Sequence, residues 1–287
     1  MPSRSFPRRL RRLAIVAAVP LLVLVAWGGW RYVTLPDVTV LKDRKTTLTL
    51  TVRDWQGREH PFLLGPRNPN WTPLTRIPEA MQWAVIVAED ANFYEHQGID
   101  VPAMKEALRY DLEHRRLARG ASTITQQLAK NVFLSRRKSW LRKVEEIVLA
   151  RRLEETLSKG RILELYLNVV EFGPLVFGVG EGAHYHFHRP AGDLTPAQCA
   201  FLAAILPGPR LAYNPALKPE KVRRRAERIL RLLHGRGVLG ADGYAQARAE
   251  LSGRPVREAP GERLEPEEEA APLPAAGGDE KAGRESP

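Results

Sequence analysis

Cysteine is nearly absent from this sequence, whose 287 residues include only Cys199. No intramolecular disulfide can form, so packing alone must hold the core together. A single cysteine permits an exported protein but does not argue for one. The chain also has no internal repeat, and we predict one main domain.

Large apolar residues are scarce after about Pro255, where Pro, Gly, Ala and Glu predominate. Such a segment cannot offset its ordering entropy by burial, which predicts a disordered acidic tail over residues 255–287. Residues 257–287 carry nine acids and four bases, so the net charge of −5 there leaves +16 on residues 1–256. A strongly basic body suits nucleic acid, anionic lipid or a diphosphate-bearing substrate.

Charged residues are missing between Leu13 and Trp30, and five arginines precede this run: Arg4, Arg8, Arg9, Arg11 and Arg12. A helix of this length reaches about 27 Å, enough to span a bilayer. We predict a transmembrane anchor at residues 13–33, with residues 1–12 in the cytoplasm. The alternative is a cleaved secretory signal, which usually has a shorter apolar run and a small-residue cleavage site, and no convincing site follows Trp30. A domain outside the membrane would not meet nucleic acid, which leaves anionic lipid and lipid-linked phosphate.

Helical periodicity begins at about Pro78 and fills residues 78–254, which we predict as the main domain. Before it, Thr and Leu alternate at Thr46–Val52, so residues 34–77 are predicted as a linker with a short strand. Within the helical part, Thr195 is followed by proline and, three residues on, by glutamine. This pattern is typical of a helix start.

Glu89 ends the first helical pattern, whose apolar positions recur at one-turn spacing: Met81, Ala84, Val85 and Ala88. The partial negative charge at a helix C-terminus disfavours a carboxylate and raises its pKa. A general base near neutral pH requires such a pKa. The plainer alternative is that Glu89 and Asp90 form a solvated helix end.

A second carboxylate, Glu146, falls on the apolar face of a helix predicted over about residues 138–157. Its neighbour Glu145 falls on a polar edge. A carboxylate on a buried face must be paired, protonated or functional. Structural pairing with Arg142 or Lys143, each about one turn away, is the alternative to a functional role.

Four cations lie close in sequence to these features: Lys130, Lys138, Arg142 and Lys143. Together they could clamp a diphosphate, whose charge must be stabilised as it leaves. Taken singly, each suits a solvated helix face better. The run of Ser, Thr and Gln at residues 122–127 suits sugar binding or, equally, capping and turn chemistry.

Three histidines alternate with aromatic residues: His184, His186 and His188. Period-2 spacing can place them on one face of a strand, but no acid or cysteine joins them locally. We therefore expect no physiological zinc site and a surface segment in which Phe187 packs inward.

Four motifs in order resemble those of the peptidoglycan glycosyltransferases, glycosyltransferase family 51. Glu89–Asp100 resembles the first motif, with two acids, then Phe, His and Gly at the family's spacing. Gly120–Asn131 resembles the second, Arg142–Glu146 the third and Ser158–Asn168 the fourth. The resemblance covers about Pro78–Leu233. No transpeptidase domain is expected after the last motif, so the chain resembles the monofunctional, membrane-anchored members.

The resemblance implies polymerisation of lipid II, a disaccharide-pentapeptide on undecaprenyl diphosphate. Glu89 would deprotonate the 4-hydroxyl of the acceptor's N-acetylglucosamine, and a β-1,4 bond would form with inversion as the diphosphate leaves. Glu146 would position or charge-balance the diphosphate region. The substrate-binding residues that the motif match carries over are Asp90, Phe93, His96, Ser122, Thr123, Gln126, Gln127, Lys130, Lys138, Arg142, Lys143, Glu164 and Asn168.

The resemblance also implies a mainly α fold, with a lysozyme-like helical lobe and a small membrane-associated jaw, for which residues 98–120 are the candidate. One transmembrane helix would precede it, with the catalytic domain on the periplasmic side of the bacterial inner membrane. No cofactor or metal ligand is carried over, and a divalent metal at the diphosphate stays open. The expected partners are lipid II, the growing glycan and the membrane, with cell-wall synthesis or division proteins left open.

Three positions depart from the family pattern: Lys138 replaces an arginine, His186 a tyrosine and Gln198 a glutamate. The first exchanges a bidentate phosphate contact for a point charge. Two other classes compete with the polymerase, a hydrolase of finished glycan and an inactive anchored scaffold. In a hydrolase of finished glycan the leaving group is an alcohol, which carries no diphosphate charge for four cations to stabilise. A scaffold would tolerate the loss of Glu89 or Glu146, and both are present.

Overall fold

Helices dominate the computed structural model, which describes residues 22–23, 26–114, 122–134 and 139–253. The prediction of a mainly helical fold is confirmed, and the architecture is consistent with a lysozyme-like lobe. In chain order the helices are α1 (Glu79–Glu89), α2 (Val101–His114), α3 (Ile124–Phe133), α4 (Trp140–Thr156), α5 (Lys159–Val169), α6 (Val179–Phe187), α7 (Pro196–Ile205), α8 (Pro219–Gly235) and α9 (Ala241–Gly253). The strands are β1 (Leu48–Arg53), β2 (Glu59–Leu64), β3 (Glu171–Gly173) and β4 (Val176–Phe177).

Parts of the predicted plan lie outside these residues: the basic segment 1–12, about half of the anchor 13–33, residues 115–120 of the candidate jaw, Lys138 and the tail 255–287. Residues 26–33, at the end of the predicted anchor, are helical. In the part of the chain that is described, no helix is both long enough and apolar enough to cross a membrane.

The strand predicted at Thr46–Val52 is confirmed as β1, which pairs antiparallel with β2. Sequence patterns do not predict β2, because Pro61 lacks the backbone donor that a strand uses and breaks the signal. Phe62 and Leu64 of β2 are buried against the helices. The predicted linker therefore includes a hairpin that covers part of the core.

Helix α5 lies in the core although one of its faces is polar. Ile162, Leu163, Tyr166 and Leu167 are fully buried, and the polar face of Arg161, Glu164 and Asn168 is buried as well. Buried polar groups require hydrogen-bond partners, which the protein supplies to this face. Helices α3 and α4 contact each other and α5, while α1 packs against α7 and α8. The packing of α1 on α8 brings the C-terminal end of α1 close to an arginine of α8.

The predicted helix start at Thr195 is confirmed as a capping box on α7. The Thr195 hydroxyl accepts a hydrogen bond from the Gln198 backbone N–H, and the side-chain Oε1 of Gln198 accepts one from the Thr195 backbone N–H. Gln198 is buried. Gln198 stands where the family pattern has a glutamate. Both side chains can accept the hydrogen bond of a capping box, so the exchange preserves the helix cap.

The three alternating histidines lie on helix α6 or directly after it. The arrangement in which all three share one face of a strand is therefore wrong. His184 and His188 are exposed. The ring of His186 instead lies 2.7 Å from the backbone oxygen of Phe172, and burial lowers the pKa of His186. The segment lies at the surface as predicted, with His186 half-buried, and the inward packing of Phe187 is confirmed.

Gly180 in α6 lies so close to the loop before α1 that no side chain fits there. An ideal Cβ would be 2.1 Å from the backbone oxygen of Asn70 and 2.8 Å from Oγ1 of Thr72. We expect Gly180→Ala to lower the free energy of unfolding by about 1–3 kcal/mol in urea titrations, because the backbone must shift. Gly243→Ala in α9 is the matched control. Its Cβ would meet nothing within 4 Å, and it should stabilise by about 0.5–1 kcal/mol. Wild-type stability of Gly180→Ala would contradict the close packing.

Candidate active site

Glu89 lies in the last turn of α1 with its side chain 12% exposed. Its Oε2 accepts a hydrogen bond from Nε2 of Gln127 at 3.0 Å, and its Oε1 accepts one from Nη2 of Arg225 at 2.9 Å. Burial raises the pKa of Glu89, and the contacts with Gln127 and Arg225 oppose that rise. The alternative of a solvated helix end is therefore wrong, and burial is the largest cause of the raised pKa of Glu89.

Neither Tyr166 nor Arg225 is among the residues that the sequence patterns single out, yet both belong to the network around Glu89. The Tyr166 hydroxyl donates to Oε1 of Gln127 at 3.0 Å, which directs the amide nitrogen of Gln127 to Glu89. Arg225 also donates to the backbone oxygen of Ala88 at 3.1 Å. The sequence does contain one signal that could have identified Arg225. At helical spacing, Arg225 falls beside the stripe of buried apolar residues on α8, where an arginine is unexpected.

Asp90 ties the end of α1 to the first turn of α3. Its Oδ1 lies 2.9 Å from Nε2 of His96, and its Oδ2 accepts a hydrogen bond from the Ile124 backbone N–H at 2.9 Å. The Gly98 N–H donates to Nδ1 of His96, so Nε2 is the nitrogen that carries the proton to Asp90. These bonds position the peptide next to Glu89.

Phe93 is fully buried beside this network. The ammonium of Lys159 lies 4.5 Å from the centre of the Phe93 ring and donates to the backbone oxygen of His96 and to Glu154. Phe93 and His96 are thus held by the protein itself. The substrate contacts that the resemblance implies for these two side chains stay predictions.

The Ser/Thr/Gln run divides between capping and contacts with the two acids. Thr123 and Gln126 form a capping box at the start of α3 and are buried, so the capping alternative is confirmed for them. Ser122 accepts a hydrogen bond from Nζ of Lys143 at 2.9 Å. Gln127 faces Glu89. The first turns of α3 therefore contact the surroundings of both predicted catalytic carboxylates.

Glu146 is 3% exposed, which confirms the helical phase predicted for α4. Its ion-pair partner is Lys143 rather than Arg142, so structural pairing is confirmed with one of the two expected cations. Glu145 points elsewhere and pairs with Arg31. The two adjacent glutamates therefore have different partners and different surroundings.

The four cations of the predicted clamp have different surroundings. Lys143 is ion-paired with Glu146. Arg142 is half-buried, and its Nε is buried with no hydrogen-bond partner among the residues that the structure describes. Lys130 is exposed in the last turn of α3, and Lys138 lies outside the described residues. Joint binding of a diphosphate by these residues stays a prediction.

Glu164 and Asn168 direct their polar atoms into the protein. Glu164 accepts hydrogen bonds from Nη1 of Arg161 at 2.6 Å and from the Leu74 backbone N–H at 3.0 Å. Asn168 exchanges two bonds with the backbone of Thr72. These contacts attach the loop before α1 to α5, which gives both residues a role in the scaffold. The substrate contacts implied for them stay predictions.

The site combines two carboxylates. Glu89 is desolvated, has a raised pKa and contacts Gln127 of α3. Glu146 is ion-paired with Lys143, which contacts Ser122 just before α3. Glu89 can accept a proton, and Lys143 with Glu146 can present charge to an anionic ligand. No group of three or more His, Cys, Asp or Glu side chains is placed to hold a metal ion within the described ranges.

A family model described as transglycosylase matches residues 59–234, more than half of the chain. The chain belongs to this transglycosylase family.

Three similar proteins are named biosynthetic peptidoglycan transglycosylase. They come from Salmonella enteritidis PT4 (strain P125109), Salmonella gallinarum (strain 287/91 / NCTC 13346) and Salmonella paratyphi C (strain RKS4594). Each is 39% identical over 237 residues, an alignment that covers 81% of this chain and 92% of the relative.

Proposed function

We propose that this protein is a peptidoglycan glycosyltransferase that polymerises lipid II into glycan strands and releases undecaprenyl diphosphate. The observation that carries the proposal is the buried carboxylate of Glu89, held by Gln127 and Arg225 in a chain of the transglycosylase family. The shared name of the relatives supports the same activity here.

In the proposed reaction, Glu89 accepts the proton of the 4-hydroxyl of the acceptor's N-acetylglucosamine. The hydroxyl oxygen attacks the anomeric carbon of the growing chain as the bond to the α-linked diphosphate breaks. A β-1,4 bond forms with inversion. Burial supports this role, because a carboxylate whose pKa is raised towards neutrality is a more effective base at that pH.

Glu146 and Lys143 serve the diphosphate side of the reaction. The ammonium of Lys143 contacts both Glu146 and Ser122, so it has a defined position beside the start of α3. A fixed cation stabilises charge on a leaving diphosphate without reorganising during the reaction. Lys130, Lys138 and Arg142 complete the proposed clamp.

We also propose that residues 13–33 anchor the protein in the bacterial inner membrane, with the catalytic domain on the periplasmic side. The end of this segment contacts the helix of Glu146. Nη2 of Arg152 donates to the backbone oxygen of Tyr32 at 2.7 Å, and its guanidinium lies 4.1 Å from the centre of the Tyr32 ring. Helix α2, in the proposed jaw, has exposed side chains that suit a membrane surface: Val101, Tyr110 and Leu112.

The experiment that tests the function uses purified protein and labelled lipid II, with the product analysed before and after lysozyme digestion. We expect a polymer that lysozyme degrades to short fragments. The same preparation is given finished glycan strands. Hydrolysis of those strands without any turnover of lipid II would overturn the polymerase proposal in favour of a hydrolase.

Arg225 should control the pH dependence of the reaction. Its positive charge lowers the pKa of Glu89 against the effect of burial, so Arg225→Gln should raise that pKa further. A base must be deprotonated to act, and activity is lost as the pH falls through the pKa of Glu89. We therefore expect the acid limb of kcat/KM against pH to move to higher pH in Arg225→Gln.

Arg224→Gln is the matched control for this shift. Arg224 is the exposed neighbour of Arg225 on α8 and loses the same formal charge. Its acid limb should coincide with that of the wild type. If both variants shift the limb equally, the effect comes from net charge and not from the contact between Arg225 and Glu89.

A further inference from the structure

A cavity of about 550 Å³ is lined by none of the residues assigned above to the catalytic network or to the cation clamp. Its walls come from the loop before α1, from α6 and from the segment after α6. The volume lies within the range of about 300–1,000 Å³ that is usual for small-molecule sites. A ligand here would bind apart from the carboxylates Glu89 and Glu146.

The side chains that line this cavity are basic, aromatic or uncharged. Arg76, Arg189, His184 and His188 contribute to its walls, and no aspartate or glutamate does so. Neither arginine forms an ion pair with a carboxylate in the described part of the chain. Nη1 of Arg189 donates to the backbone oxygen of Asp193, at 3.3 Å. Neither guanidinium group is therefore neutralised by direct contact with a carboxylate of the described residues.

Close backbone contacts hold the walls of the cavity together. A Cβ at Gly180 of α6 would collide with the backbone oxygen of Asn70, and a Cβ at Gly192 would lie 3.2 Å from that of Arg76. The loop before α1 is thus pressed against both α6 and the segment after it. Trp71 adds an aromatic surface to the lining. Because backbone packing sets the spacing of the walls, the cavity is preformed rather than created by side-chain motion.

We propose that this cavity binds the oxyanion of a small molecule, a carboxylate or a phosphate, between Arg76 and Arg189, with the body of the ligand against Trp71. The planar guanidinium matches both kinds of oxyanion with two parallel hydrogen bonds. Metal cations are poor candidates, because the described residues place no group of three or more His, Cys, Asp or Glu side chains to hold one. The site shares no residue with the proposed catalytic centre, so it does not rest on the glycosyltransferase assignment.

The test titrates the full-length protein in detergent with inorganic phosphate and with N-acetylalanine, which has one free carboxylate. N-acetylalanine methylamide is the uncharged control. Binding is followed by isothermal titration calorimetry and by NMR shifts of the tryptophan indole signals. We expect saturable binding of at least one charged probe and none of the amide. Arg76→Gln and Arg189→Gln should each weaken it about ten- to a hundredfold.

Arg228→Gln is the control variant, because Arg228 is an exposed arginine of α8 outside the cavity lining. It should bind the probes like the wild type. Binding of phosphate alone identifies a phosphate ligand, and binding of N-acetylalanine alone identifies a carboxylate. No saturable binding of either probe to the wild type, or equal weakening by Arg228→Gln, overturns the proposal. If Arg76→Gln lowers the unfolding temperature, Arg76→Lys gives the same test: weaker binding supports the two-bond contact, and unchanged binding contradicts it.

Discussion

Glu89→Gln is expected to abolish glycan polymerisation while the fold survives. Glutamine keeps the shape of the side chain and an acceptor for Gln127 or Arg225, but it cannot take a proton at neutral pH. Loss of a general base typically lowers the rate by ~10²–10⁴. The measurement is turnover of labelled lipid II by wild type and variant, with circular dichroism and thermal unfolding as checks on the fold.

Glu79→Gln provides a control on the same helix. Glu79 is exposed in the first turn of α1, where its carboxylate accepts a hydrogen bond from the indole N–H of Trp83, at 3.3 Å. The identical chemical change there should leave lipid II turnover unaffected. Near wild-type polymerisation by Glu89→Gln would remove Glu89 as the base and leave its buried network without a catalytic explanation.

Glu146→Gln is expected to nearly silence the enzyme, with a rate loss of about 10²–10³, the range seen when one preorganised electrostatic group is removed. The variant keeps the size of the side chain but removes the charge that holds Lys143. Lys143 would retain its contact with Ser122, so the expected defect is in lipid II turnover more than in the fold. Steady-state kinetics and unfolding in urea separate the two effects.

Glu145→Gln is the control, because it makes the same change one residue away. The carboxylate of Glu145 is 19% exposed and pairs with Arg31. Pairs near the surface stabilise by only about 0–1 kcal/mol, so this variant should be mild in both assays. If Glu145→Gln were the more damaging change, the motif alignment that assigns a role to Glu146 would be wrong.

The short-range features of the fold can be predicted from sequence because their geometry is local. The capping box at Thr195 joins residues only three positions apart, so the sequence pattern contains the whole interaction. The burial of Glu146 follows from its angular position on one helix, at 100° per residue. Glu89 at a helix end is likewise a property of one amphipathic segment.

Longer-range features were decided by packing. Sequence spacing allowed Glu146 to pair with Arg142 or Lys143, and the position of Ser122 at the start of α3 favours Lys143, which contacts both. The alternating histidines permitted a strand, yet the segment is helical and buries His186 against the backbone of Phe172. In each case the pattern was compatible with two arrangements, and a neighbouring element selected one.

The sequence by itself determined where α1 and α4 lie, how α7 is capped and which of two adjacent glutamates is buried, because contacts within one or two turns define these properties. Only the tertiary structure decided what surrounds Glu89. Arg225 is 136 positions from Glu89 in the chain, and it is one of three consecutive arginines. It reaches the carboxylate because α8 packs on α1, and no local pattern determines which side chains two such distant helices bring together.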